Sequence, residues 1–379
     1  MISIPSNLLN ILQQNAEYDG IVKKTISDFS TIVAENKLEF FKDYTDHGIK
    51  HINSVLLTCS QIITEDSIKL LNSKDVLVLI LSVILHDLGM HVNIPGFIRL
   101  IEGEFDQVWQ KNVDKNRWEE EWLVYFDKAK KMNDDQLLKI FGKTDVYIEY
   151  PAFDNIDDQS KLLIGEFLRK SHHRLSHEIA LNGFPGAKEN IEFAAGLEQN
   201  LIFISGLVAR SHGMPLRETF EILKNKFGTS WKTPYDIKVI YLMGVLRIAD
   251  YLQISNDRAN NLVFRTKLFT SNFSKEEWLK HNSVKFIDVH TDDPELINVH
   301  AEPNDSRIFL GLKSLLKDIQ SELDITWAIL GEVYGNTIYK ELRFNYRRIK
   351  SNIDDIEKFS NTIEYIPREV KYKAEPEIL

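Results

Sequence analysis

With 379 residues and 43% hydrophobic content, the chain is long enough for one large domain or two moderate ones, each with a substantial core. A formal charge of -10 disfavours a fixed basic surface for long nucleic acid, and a single cysteine, Cys59, excludes an internal disulfide. The opening MISIPSNLLN has neither the basic start nor the apolar core of a secretory signal, so a cytoplasmic location without membrane contact is expected.

Along residues 1–40, Leu8, Leu9, Ile11 and Leu12, and then Ile21, Ile26, Phe29, Ile32 and Val33, recur at helical spacing, which predicts two helices broken near Asp19-Gly20. In FKDYTDHGIKHINSVLLTCSQII, Thr45 or Asp46 is positioned to cap a helix with the stripe Ile49, Ile52, Val55, Leu56 and Cys59. His47 and His51 stand four apart and share a face of it. The run Val76 to Met90 is apolar but for Ser82 until it reaches His86-Asp87 and Gly89. It is too short to cross a bilayer and predicts a helix buried on all sides.

Residues 91–170 are less regular, with Trp109, Trp118 and Trp122 among charged neighbours; amphipathic helices that use these rings to cover the core are expected, with an extended piece at Asp145 to Pro151. The segment from Lys161 predicts a helix carrying His172, His173 and His177 and ended by Gly183 and Pro185. Further helices are predicted over Glu192 to His212 and Asp236 to Ile254, the second interrupted by Arg247, Asp250 and Tyr251. From Asn261 the texture changes. LVFRTKLF, SVKFIDVHTDD and LINVHAE alternate with period two and predict two to four strands, before helix returns over Ile308 to Tyr334 and a charged tail follows. The expected fold is mainly α: a helical domain over 1–260, with 91–170 as a helical insertion, and a small α/β extension over 261–379 packed on it.

The polar residues isolated on these apolar helices are His51, His86, Asp87, one or both of His172 and His173, His212 and Asp250. A buried carboxylate costs several kcal/mol unless paired or bound to a cation. One shared metal centre accounts for all of these positions together, and imidazole with carboxylate suits manganese, iron, zinc, nickel or magnesium better than a structural zinc site.

With those residues in view, the chain resembles the HD superfamily of metal-dependent phosphohydrolases. In that superfamily a His on one helix, a His-Asp dipeptide on a later one and a final Asp hold the metal. Here the matching positions are His51 in HGIKHINSV, His86-Asp87 in LHDLGM and Asp250 in LRIADYLQI, over about residues 40 to 260. Some members carry extra histidines between the dipeptide and the last Asp that support a second metal or contact phosphate; His172 or His173 and His212 occupy that interval. The texts TDHGIKHI, LHDLGM and RIADYLQISNDRA look most like a bacterial branch found in conflict and defence proteins, in which a heat-shock-chaperone-type ATPase often follows. EYIPREVKYKAEPEIL looks like the link before such an ATPase, so the chain is either a stand-alone member or one that works with an ATPase partner or a missing C-terminal domain. GKT at Gly142 to Thr144 is no phosphate loop, because Leu137 stands where that loop needs Gly.

The resemblance implies a metal-dependent phosphohydrolase in which one or two divalent ions activate water against a small phosphorylated substrate, expected to be a nucleotide. His47 or His173 is the candidate proton donor, and Arg169, Arg210, Arg247 and Arg258 are candidate phosphate ligands, Arg247 foremost because it lies one turn from Asp250. Residues 91–170 and 260–305 are expected to shape the substrate pocket. The alternative is a sensing module that binds a nucleotide without turnover and regulates a partner. A nuclease and a metal-free helical scaffold are the remaining readings, disfavoured by charge and by the His/Asp constellation respectively.

Overall fold

The computed structural model describes residues 1–35, 38–105, 113–254 and 269–354, together with Ala259 and Phe264. Two helices open it, α1 (Ser6–Leu12) and α2 (Ala16–Glu35). The break falls at 13–15, upstream of the Asp19-Gly20 expected from pattern, because Asn15 Oδ1 accepts from the backbone N–H groups of Glu17 and Tyr18 and starts α2 there. Helix α3 (Ile49–Ile62) buries His51, Ile52, Val55, Leu56, Cys59 and Ile62. Neither Thr45 nor Asp46 caps it; Gly48 is its N-cap residue, and Asp46 Oδ1 accepts from the Gly48 N–H just outside. The short α4 (Glu65–Leu70), capped by Thr64, was not apparent from periodicity.

The central element is α5 (Ser73–Leu85). Asn72 and Asp75 form a reciprocal capping box at its start. Every residue from Asp75 to Leu85 is buried, and α1, α2 and α3, together with the later helices Asp158–Asn182, Gln199–Arg210 and Val239–Tyr251, all pack on it. Each fully buried Val, Leu or Ile contributes about 1.5–3 kcal/mol, so α5 anchors the domain and fixes where its C-terminal His86-Asp87 must sit. A 3-10 turn, Leu88–His91, follows directly.

Next come α6 (Ile94–Ile101), α7 (Trp118–Ala129) and α8 (Asp134–Phe141). Trp118 and Trp122 are buried and pack edge-on against Phe167, as expected of core rings; Trp109 lies outside the described residues. The stretch Asp145 to Pro151 pairs into no strand. Helix α9 (Asp158–Asn182) ends at Gly183, whose φ of +87° lies in the region that favours glycine. A short hairpin of β1 (Phe184–Pro185) and β2 (Asn190–Ile191) leads to α10 (Gln199–Arg210). Helix α10 begins seven residues later than the predicted Glu192, because Ala194 and Gly196 have positive φ and turn the chain out of helix.

After the turn Ser211–Gly213 come α11 (Glu218–Phe227) and α12 (Val239–Tyr251). Tyr235 and Asp236 also have positive φ, which delays α12 past the predicted Asp236. Most of LVFRTKLF lies outside the described residues. Helix α13 (Asn272–Ser283) then leads into β3 (Val284–His290) and β4 (Asp293–Ala301), which pair antiparallel, and α14 (Ser306–Tyr334) packs on α12 and α13. The tail adds a strand that its charge had hidden: β5 (Arg348–Ser351) joins β4 in parallel, giving the order β3-β4-β5. The fold is mainly helical with small sheets, and no single described helix is long and apolar enough to cross a membrane.

Candidate metal centre

Five elements deliver six His and Asp side chains to one place. His51 comes from the first turn of α3, His86 and Asp87 from the end of α5, His172 from the middle of α9, His212 from the turn after α10, and Asp250 from the end of α12. They divide into two clusters of potential ligand atoms: His51, His86 and Asp250, and Asp87, His172 and His212.

Asp87 joins the clusters. Its Oδ2 lies 3.2 Å from His51 Nε2 and 3.1 Å from His86 Nε2, while its Oδ1 lies 3.5 Å from His172 Nε2 and 4.0 Å from His212 Nε2. Asp250 Oδ1 is 3.5 Å from His51 Nε2 and 3.9 Å from His86 Nε2. The two close histidine pairs approach through their Nε2 atoms, at 3.1 Å for His51 with His86 and 2.8 Å for His172 with His212.

The backbone sets the tautomers. His86 Nδ1 is 2.7 Å from Val83 O, His172 Nδ1 is 2.7 Å from Arg169 O, and His212 Nδ1 is 2.6 Å from Ala209 O. A carbonyl only accepts, so each Nδ1 carries a hydrogen, and a ring held this way turns its Nε2 toward the cluster, where it presents a lone pair whenever it is neutral, the arrangement typical of metal-binding imidazoles. Burial above all pushes His212 down to about 4, with His172 and His86 adding to it, and burial likewise lowers His172. Both shifts favour the neutral rings, whose Nε2 atoms face each other at 2.8 Å with Asp87 Oδ1 beside them. A divalent cation is the group such a donor set fits.

The first cluster has a different charge balance. Burial opposes charging His86, but Asp87 and then Asp250 outweigh it, and its pKa is pushed up to about 9. Burial likewise opposes ionising Asp87, yet His86 and hydrogen bonds from His51 and His86 hold its carboxyl well below the usual carboxylate range. Asp87 is thus an anion in either case, ready to neutralise cations on both sides.

Over the clusters lies an open cavity of about 310 Å³, lined by Asp87, His172, His212 and Asp250 on its floor and by Tyr44, His47, Arg169, Tyr251, Phe273 and His281 around it. His47, whose Nδ1 bonds Thr45 O at 2.8 Å, faces this cavity as a proton donor must. His173 does not. It lines a separate cavity with Arg174 and Arg210, packs against Gly213, and is pushed by burial, and then by His172 and His212, down to about 2, which disfavours the charged ring.

The arginines are rearranged just as sharply. Arg247 does not line the cavity: its guanidinium is buried, meets both oxygens of Glu322 on α14 at 2.5 and 2.7 Å, and donates to Ser211 O and Met214 O. Arg210 is buried against Asp114. Arg169 lines the cavity, paired through two nitrogens with Glu166. Arg258 lies outside the described residues. Of the segments expected to shape the pocket, 260–305 contributes Phe273, Ser274, Glu277 and His281 to this cavity, whereas 91–170 contributes Arg169. Phe273 and His281 were missed because α13 reads as a polar helix; the signal available was an aromatic and a histidine eight residues apart on one helix.

A helical fold that gathers a His, a His-Asp dipeptide and a late Asp around one buried point defines a protein of the HD superfamily. The chain belongs to the HD-CE family, whose model matches residues 41–325 and so takes in all six residues of the two clusters. A search of the curated proteins found no match, and neither did a search of the solved structures.

Proposed function

We propose that the chain is a metal-dependent phosphohydrolase acting on a nucleotide or a related phosphate ester. The observation that carries this reading is the approach of the Nε2 atoms of His172 and His212, 2.8 Å apart beside Asp87 Oδ1, opposite the His51/His86/Asp250 cluster on Asp87 Oδ2. His51, His86 and Asp250 would hold one divalent ion, and Asp87, His172 and His212 a second, with Asp87 shared between them. When bound, such ions lower the pKa of water toward neutrality and neutralise phosphoryl oxygens.

The chain's own residues do the rest. Nδ1 bonds to Val83, Arg169 and Ala209 lock His86, His172 and His212 in one tautomer and orientation. His47 gives a proton to the leaving oxygen, and Tyr44, Tyr251 and Phe273 on the cavity rim supply aromatic surface for an organic group to pack on. Within the same proposal, the chain works beside an ATPase partner or domain.

The test is metal content by elemental analysis on the wild type and on a His86→Ala, Asp87→Ala double variant, with manganese-dependent turnover of nucleotide phosphate esters. Metal at one or two per chain, lost in the variant and accompanied by turnover, is the expected result. Metal with nucleotide binding but no turnover would replace the hydrolase with a sensing module, and no metal in either protein would refute the centre itself.

A further inference from the structure

The cavity over the metal centre does not end at its own wall. Tyr44, Arg169, Phe273 and Ser274 line it, and the same four residues line a second cavity of about 240 Å³, so they form the threshold between two lobes of one cleft. The lobes differ in charge. The floor of the first carries Asp87 and Asp250. Among the described residues the second is walled by Lys42, Lys139, Arg169 and Lys170 against Asp43 and Glu166, an excess of two positive charges.

Two features strengthen that imbalance. Glu166 is shared, at 2.8 Å from Arg169 Nε and 3.1 Å from Lys170 Nζ, so one carboxylate faces two cations. Asp43 is buried and its Oδ2 is engaged by the Thr270 N–H at 2.7 Å, turning part of its charge inward. Lys139 Nζ lies 4.9 Å from the centroid of the Phe273 ring and Arg169 Cζ lies 5.3 Å from it, so cations stand close to the ring at the threshold. Lys42, Lys139 and Lys170 are exposed, which leaves them able to meet a solute arriving from water.

We propose that this second lobe is an anion subsite, and that the substrate is a small organic phosphate bearing a second anionic group about one nucleoside away from the reacting phosphorus. This rests on the phosphohydrolase reading and adds to it the class of substrate. The reacting phosphate lies over Asp87 and Asp250, the intervening organic group passes over Tyr44 and Phe273, whose rings pack together with centroids 6.3 Å apart, and the distal anion sits among Lys42, Lys139 and Lys170. A linear dinucleotide with a terminal phosphate has this layout, and a nucleoside monophosphate lacks the distal charge.

The experiment compares binding of AMP with that of the linear dinucleotide pApA by titration calorimetry in manganese, on the full chain and on a Lys42→Glu, Lys139→Glu double variant, with turnover of both ligands followed alongside. Both lysines are exposed, so the double variant is expected to fold, and its AMP affinity serves as the control. The wild type is expected to bind pApA about tenfold more tightly than AMP, equivalent to about 1.4 kcal/mol. The variant is expected to lose that preference and keep its AMP affinity. Equal affinity of the wild type for the two ligands, or a preference that survives in the variant, overturns the subsite. A charge-dependent preference for pApA without turnover of either ligand keeps the subsite and removes the hydrolase reading, and turnover of AMP without any preference does the reverse.

Discussion

Glu322→Gln puts the role of Arg247 to a quantitative test. The Arg247–Glu322 pair is less than one tenth exposed on both sides and bonded through two nitrogens at 2.5 and 2.7 Å, with Thr326 Oγ1 donating to Glu322 Oε1 at 3.1 Å. Glutamine keeps the shape, but it removes the charge and presents an amide N–H₂ to a guanidinium that cannot lose its proton. Breaking a buried pair from one side costs about 3–5 kcal/mol. That is a large share of the roughly 5–15 kcal/mol by which a domain is stable, so the urea midpoint of Glu322→Gln should fall steeply, followed by tryptophan fluorescence.

An Arg247→Met, Glu322→Leu double variant separates stability from site geometry. Removing both charges together should restore most of the loss, because apolar replacement of a buried pair is often neutral. The carbonyls of Ser211 and Met214 nevertheless lose their guanidinium donor, and His212 sits between them. The double variant should therefore fold, keep metal at His51/His86/Asp250 and lose it from the cluster containing His212. A loss below about 1 kcal/mol in Glu322→Gln would refute the buried-pair argument. Unchanged metal stoichiometry in the double variant would refute Arg247 as the positioning residue for His212.

Two further predictions concern other parts of the frame. Gly89 approaches the backbone of α9 so closely that a Cβ there would lie 2.8 Å from His172 O and 3.2 Å from its Cα, atoms that cannot rotate away. Gly89→Ala should thus displace His172 and weaken manganese binding at its cluster by about 10–100-fold, the scale seen when support for a metal ligand is lost, while sparing the other cluster; calorimetry showing two unchanged sites would contradict this. Asp75 supplies a pH dependence of stability: burial, partly offset by Lys238, raises its carboxyl from 3.8 to about 6. A raised carboxyl binds its proton more tightly in the native state, so its contribution to stability declines as pH rises from about 4 through 6, by about 3 kcal/mol in all. Asp75→Asn should remove that component, so urea titrations giving parallel pH profiles for variant and wild type would count against it.

The sequence by itself determined the chemistry-bearing residues on the apolar helices. A carboxylate or imidazole at the end of a run such as Val76 to Leu85 needs a partner, and that need is visible in one dimension because helix periodicity and hydrophobicity are local. The same locality explains the helix ends that pattern placed wrongly. Positive φ at Ala194, Gly196, Tyr235 and Asp236 is set by packing around the turns, and nothing in the residue types at Tyr235 announces it. Only tertiary structure could decide between neighbours on one helix: His172 turns to His212 and Asp87, while His173, a 100° rotation further on, packs against Gly213 in another cavity. It also decided Arg247, one turn from Asp250 in sequence yet committed to Glu322, seventy-five residues away on α14. Metal-ligand types are fixed by side-chain chemistry and survive in the sequence; which oxygen or nitrogen faces which cluster depends on how five elements from distant parts of the chain converge, and that exists only in the folded protein.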